Sequence, residues 1–128
     1  MILLLKIFLV GFFINLLYEI LHSMLYQTCY EVGLKQYIYL IIKGALFDGC
    51  FIAITYAIIF LLPLTQTAKF LVFSVILLAL AYVWEYYSIK NKRWAYTKHM
   101  PQLAGVGITP LIQLSLTGLV AFYLAFNF

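Results

Sequence analysis

Charge is scarce in this chain. Only 9% of its 128 residues are Asp, Glu, Lys or Arg, against about 25% in soluble domains. A folded protein this small exposes much surface relative to its core. Four acidic and eight basic side chains cannot cover that surface. Two cysteines without C-x-x-C spacing exclude a disulfide scaffold. Cys29 and Cys50 read as small, reduced, membrane-embedded residues. No period-two alternation runs over strand-length segments, which excludes a transmembrane barrel. Gly105-Val106-Gly107 has neither the preceding strand nor the third glycine of a phosphate loop, and reads as a bend. There is no Ser/His/Asp or zinc-finger pattern.

What is present is apolar. Hydrophobic residues make up 66% of the chain, which excludes disorder. Four segments are long enough to cross about 30 Å of hydrocarbon. They run over about 5–27, 38–62, 68–88 and 110–128, the last beginning at Pro110 in a favourable first-turn position. The expected fold is all-α: a polytopic membrane protein, a four-transmembrane-helix bundle in one domain over 1–128. The first segment is too long for a signal-peptide core and lacks a small-x-small cleavage site. Asn15, Glu19 and His22 also interrupt it, so it reads as a mature helix.

Four spans place both termini at one end and the 1–2 and 3–4 linkers at the other. The linker end carries Lys35, Lys90, Lys92, Arg93 and Lys98, with Lys43 nearby, whereas the termini end has Lys6 and Lys69. Positive charge marks the cytoplasmic side, so the termini are expected outside the cytoplasm and the 89–109 loop within it. The Lys90–Trp94 run reads as a topology anchor. Membrane lipid is the expected partner, and no nucleic acid is.

Ionisable groups inside a membrane are expensive and usually face the bundle interior. Asn15, Glu19, His22 and Tyr26 are spaced four, three and four apart, one stripe of a helix. Asp48 and Thr55 share a face of the second span, with Gly44 one turn before Asp48 permitting close approach. Tyr82, Glu85 and Ser88 mark the third span, and Thr109, Gln113 and Thr117 the fourth. Measured from the linker end at about 1.5 Å per residue, Glu19 lies ~12 Å deep, His22 ~8 Å, Asp48 ~15 Å, and Glu85 and Gln113 ~5 Å. The stripes predict a polar cup opening towards the cytoplasm, lidded by the Trp94–Gly107 loop.

Glu19, Asp48 and Glu85 are the candidate acid/base groups. Asn15, His22, Tyr26, Trp94, Tyr96 and Gln113 are the candidate substrate-binding residues. Burial favours the neutral form of a carboxyl, so one of these would carry a proton at neutral pH and act as an acid. Each has a plainer reading: Glu85 as an interfacial anchor beside Trp84, Asp48 as a partner of Lys43, His22 as a satisfied polar residue. Glu19-Ile20-Leu21-His22 is also a Glu-x-x-His segment, as in di-iron bundles. Glu19, His22, Asp48 and Glu85 would then form an alternative Mn, Fe or catalytic Zn set.

Several stretches carry a resemblance. They are Asn15-x-x-Tyr18-Glu19-x-x-His22, Asp48, Glu85, Trp94-Ala95-Tyr96-x-x-x-Met100-Pro101 and Gly107-Ile108-Thr109-Pro110-Leu111-Ile112-Gln113. In these the chain resembles a group of small bacterial four-span membrane proteins. The resemblance implies a four-span bundle in the bacterial inner membrane and no particular reaction. More faintly, the chain is similar to lycopene-cyclase-type carotenoid proteins, in which an aromatic-Glu helix end, a Trp-x-Tyr loop and a proline-led helix recur. Those proteins carry paired carboxylates after the proline, where this chain has Leu111-Ile112-Gln113.

Three functions are therefore expected to compete. One is a membrane enzyme or binder of a lipid-soluble substrate, with Glu19 and Asp48 as its chemistry. Another is a dimeric proton- or cation-coupled small transporter. The last is a non-catalytic accessory subunit of a membrane complex.

Overall fold

The computed structural model describes residues 1–127. Helix α1 spans Ile2–His22, a 3-10 turn Ser23–Leu25, and a short α2 Gln27–Glu31. Helix α3 spans Leu34–Phe60, α4 Gln66–Lys90 and α5 Ile108–Asn127. Strands β1 (Gln102–Leu103) and β2 (Val106–Gly107) lie between α4 and α5. The segments that begin at Ile2, Leu34, Gln66 and Ile108 are long and apolar enough to span a membrane. The fold is thus the all-α four-helix bundle that the sequence implies.

The outer surface is hydrocarbon-like. Leu17, Ile54, Val75 and Tyr123 are all more than half exposed, and such continuous apolar cover fits lipid and not water. Inside, α1 packs closely on α3 and α5, and α5 on α4, whereas α3 and α4 pack sparsely. The bundle is therefore a ring with one loose seam. Gly49 sets the α1–α3 crossing: a Cβ there would lie 3.3 Å from the backbone of Phe8 and Phe12. Small residues of this kind let membrane helices approach. The termini half of the bundle holds Tyr56, Phe73 and Phe122 around a second cavity of about 110 Å³, with Phe70 edge-on to Phe122 at 4.5 Å. A Thr65 hydroxyl accepts the Ala68 N–H and starts α4 just after Pro63.

Two boundaries differ from expectation in a way that matters. The first span is not one helix through residue 27: α-helix ends at His22, and Tyr26 is extended (φ −102°, ψ 120°). The backbone there is used by the other linker. Gln27 N–H donates to Ala95 O at 2.8 Å, Thr97 N–H donates to Leu25 O at 2.9 Å, and Tyr26 bridges Tyr96. A helix cannot offer those groups sideways. Tyr26 therefore leaves the helical stripe. The long loop is likewise not a plain bend but a hairpin, with Gln102 opposite Gly107 and Leu103 opposite Val106. Its two turn residues, Ala104 and Gly105, both have positive φ (52° and 80°), the backbone twist that two-residue hairpins favour. Helix α5 starts at Ile108, so Pro110 sits inside its first turn, where the missing N–H has no helical acceptor to lose.

Candidate functional site

The polar stripes of α1, α3 and α5 meet at one side chain. Gln113 Nε2 lies 3.0 Å from Asn15 Oδ1, 3.0 Å from Glu19 Oε1 and 2.9 Å from Asp48 Oδ2. The Glu19 and Asp48 carboxyls are thus gathered on one nitrogen. Gly44 makes room, since a Cβ there would stand 3.2 Å from Glu19 Cδ and Oε1. Below this layer, Thr117 Oγ1 reaches Asn15 Oδ1 at 3.0 Å and Gln113 O at 2.8 Å, while Asn15 Nδ2 donates to Gly11 O. Above it, His22 Nε2 is 3.1 Å from Glu19 Oε2, and His22 Nδ1 faces the Thr109 hydroxyl at 3.4 Å. Tyr18 OH donates to Thr109 O, fixing the start of α5 against α1.

The hydrogen count at Gln113 fixes which way its amide faces. An amide nitrogen has two hydrogens, yet three oxygens surround it at 3.0 Å or less. Turning the amide over would place a fourth acceptor among them, so the nitrogen must face this way. The Thr117 hydroxyl can serve the Asn15 oxygen, which leaves the two amide hydrogens to the two carboxyls, and two carboxyls drawn to one nitrogen cannot comfortably both be ionised.

Glu85 belongs to a second cluster. Its Oε1 accepts from Tyr26 OH at 2.7 Å, Tyr96 OH at 2.7 Å and Trp94 Nε1 at 3.0 Å. Tyr96 OH in turn accepts the Gly107 N–H at 3.0 Å. Burial, then the hydrogen bond and charge of Glu85, push the Tyr96 phenol above its ordinary range, and the Gly107 N–H opposes this. The phenol stays a neutral donor, and Glu85 Oε1 accepts from all three groups. This carboxylate ties the long loop to α4 and to the bend at Tyr26. Its plainer reading, as an anchor, has a definite geometry, although it anchors a loop and not the interface.

The four-residue metal set needs correction. Among the described residues, no three carboxylate, imidazole or thiol groups are placed to hold an ion. Glu85 is drawn away by its Tyr and Trp donors, and the carboxylates of Glu19 and Asp48 are taken up by Gln113. Asp48 does not pair with Lys43 either. Lys43 stacks on the Tyr39 and Phe47 rings instead.

A cavity of about 150 Å³ joins the two clusters. Glu19, Asp48, Glu85 and Gln113 line its polar floor, and Tyr26 and Trp94 its loop side. Its other wall is the loose α3–α4 seam, where Phe47 and Phe51 of α3 meet Trp84 of α4 at ring distances of 5.9 and 6.1 Å. The expected cup thus has this seam as one of its walls. Lys43 and Arg93 stand at this cavity too. Sequence reasoning read Arg93 only as an anchor of topology. A basic residue next to Trp94 was the available signal, and the ring stacking that turns it inward is a tertiary matter. Thr28, whose hydroxyl accepts the Ala95 N–H, gave no signal at all.

Comparison of the chain with protein-family models, with curated proteins and with solved structures returns no match. The reading of the site accordingly rests on its geometry.

Proposed function

We propose that this protein binds a lipid-soluble substrate within the membrane and acts on it with the Glu19–Asp48 carboxyl pair as acid and base. The observation that carries the reading is the convergence of the Glu19 and Asp48 carboxyls on the Gln113 amide nitrogen, at 3.0 and 2.9 Å, since two carboxyls drawn so close are best accommodated with one proton between them. A pair with one proton can give it to a substrate atom and take another back, with no net change. The surroundings suit an apolar substrate: the cavity has aromatic walls and lies along the α3–α4 seam. In this reading the chain is a multi-pass protein of a bacterial inner membrane. Its basic linker end faces the cytoplasm and its termini face outward.

Infrared difference spectroscopy of the protein in lipid nanodiscs tests the carboxyl pair. The wild type should show the carbonyl band of a protonated carboxylic acid at neutral pH. That band should vanish in both Glu19→Gln and Asp48→Asn. A wild type without it, or variants that both keep it, would overturn the proposal.

A further inference from the structure

The rim of the cavity carries charge that the carboxyl pair does not use. Lys43 and Arg93 both stand there, and among the described residues neither forms an ion pair. Lys43 lies over Tyr39 and Phe47 at 5.7 and 6.0 Å, and Arg93 over Trp84 and Trp94 at 5.0 and 5.5 Å. Stacking on rings orients a guanidinium while leaving its N–H fork free for a planar or tetrahedral anion. Two cations are thus held by aromatic faces at the mouth of an apolar slot.

We infer that the substrate is a phosphate-headed lipid, which enters sideways through the α3–α4 seam and rests its phosphate between Lys43 and Arg93. The inference rests on the membrane-substrate reading above and names the class of molecule. Size supports it. A cavity of about 150 Å³ is the size that admits benzene, so it holds a short stretch of chain while the remainder lies along the seam in the bilayer. Register supports it as well. Lys43 precedes Asp48 by five residues on α3, about 7.5 Å along the axis. A head held at Lys43 places the carboxyl pair beside the first few carbons of the chain and not beside its far end.

Both tryptophans of the protein, Trp84 and Trp94, line this cavity, so intrinsic fluorescence reports on it without a label. The protein in nanodiscs of neutral lipid is titrated with dodecyl phosphate, with dodecanol and with inorganic phosphate. Dodecyl phosphate should shift the emission saturably. Dodecanol should bind about tenfold more weakly, as expected when a charge-assisted contact is lost. Inorganic phosphate should neither shift the emission nor compete. Lys43→Gln and Arg93→Gln should each weaken dodecyl phosphate about tenfold and leave dodecanol unchanged, with Arg93→Lys between them and the wild type. Equal affinity for the phosphate and the alcohol, or wild-type affinity in both Gln variants, overturns the inference, as does competition by inorganic phosphate alone. Glu19→Gln should still bind dodecyl phosphate. Loss of the acid band with binding intact in that variant separates the carboxyl reading from this one, and failed binding with the wild-type band intact refutes this one alone.

Discussion

Glu85 offers the sharpest quantitative test. Three donors converge on its Oε1, two phenols at 2.7 Å and an indole N–H at 3.0 Å. Bonds to an ionised acceptor are about twice as strong as neutral ones. In Glu85→Gln each of the three becomes neutral and weakens by about 1 kcal/mol. The loss is about 3 kcal/mol, roughly 150-fold in the equilibrium for releasing the loop. An amide is cheaper to bury than a carboxylate, so the observed change should fall between about tenfold and that ceiling. Glu85→Leu is harsher, because it strands the buried Tyr26 hydroxyl at about 1–3 kcal/mol and, at a smaller cost, the half-buried Tyr96 and Trp94 donors. Hydrogen exchange read by mass spectrometry is the assay. The amides of Gln27, Thr97 and Gly107 bond across this junction and should exchange faster by the stated factor, while those in the middle of α1 and α3 should not. Wild-type protection of Gln27 and Thr97 in Glu85→Gln would refute the clamp. Equal acceleration throughout the helices would show that the whole bundle, and not the loop, depends on it.

Three further outcomes follow from the geometry. Gly44→Ala places a methyl 3.2 Å from the Glu19 carboxyl; it should shift the acid band and cost about 1–2 kcal/mol in denaturant unfolding, and an unchanged band would show that Glu19 is not wedged there. The Tyr96 phenol is raised in the folded protein, so its contribution to stability is whole below the ordinary phenol value of about 10 and is lost as pH climbs towards the raised one. Ultraviolet titration should reveal a late phenolate that Tyr96→Phe removes, and no missing component would contradict this. Cysteine placed at Arg93 in a Cys29→Ser, Cys50→Ser background should react with a membrane-impermeant reagent in inverted vesicles and not in intact cells; the reverse would invert the proposed topology.

The helices and their polar faces were legible because local periodicity writes them. Asn15, Glu19 and His22 repeat at three and four residues, and so do Gln113 and Thr117, so their convergence needed only that the apolar faces turn to lipid. The bend at Tyr26 was not legible. An apolar run cannot say that its backbone will pair with Ala95 and Thr97, some seventy residues on. Glu85 could be recognised as expensive, but its partners come from the loop and from the end of the first span, and only folding unites them. The hairpin was hidden because Ala104 takes a left-handed conformation that sequence would assign to Asn or Gly. The loose α3–α4 seam was out of reach for a different reason. Helix adjacency depends on how ridges and small residues mesh, and Gly49 favours α1 as neighbour of α3.

That loose seam has a geometrical consequence. A closed ring of helices around a site would accept only molecules short enough to fit inside, or long ones threaded end first. A ring tight along three of its joints and slack along the fourth can instead take hold of a chain partway along its length, as a hook takes a rope. Such a site does not measure how long its guest is, because the ends never pass through it. Any selectivity must come from the few atoms that reach the carboxyl pair and from whatever lies against the rim.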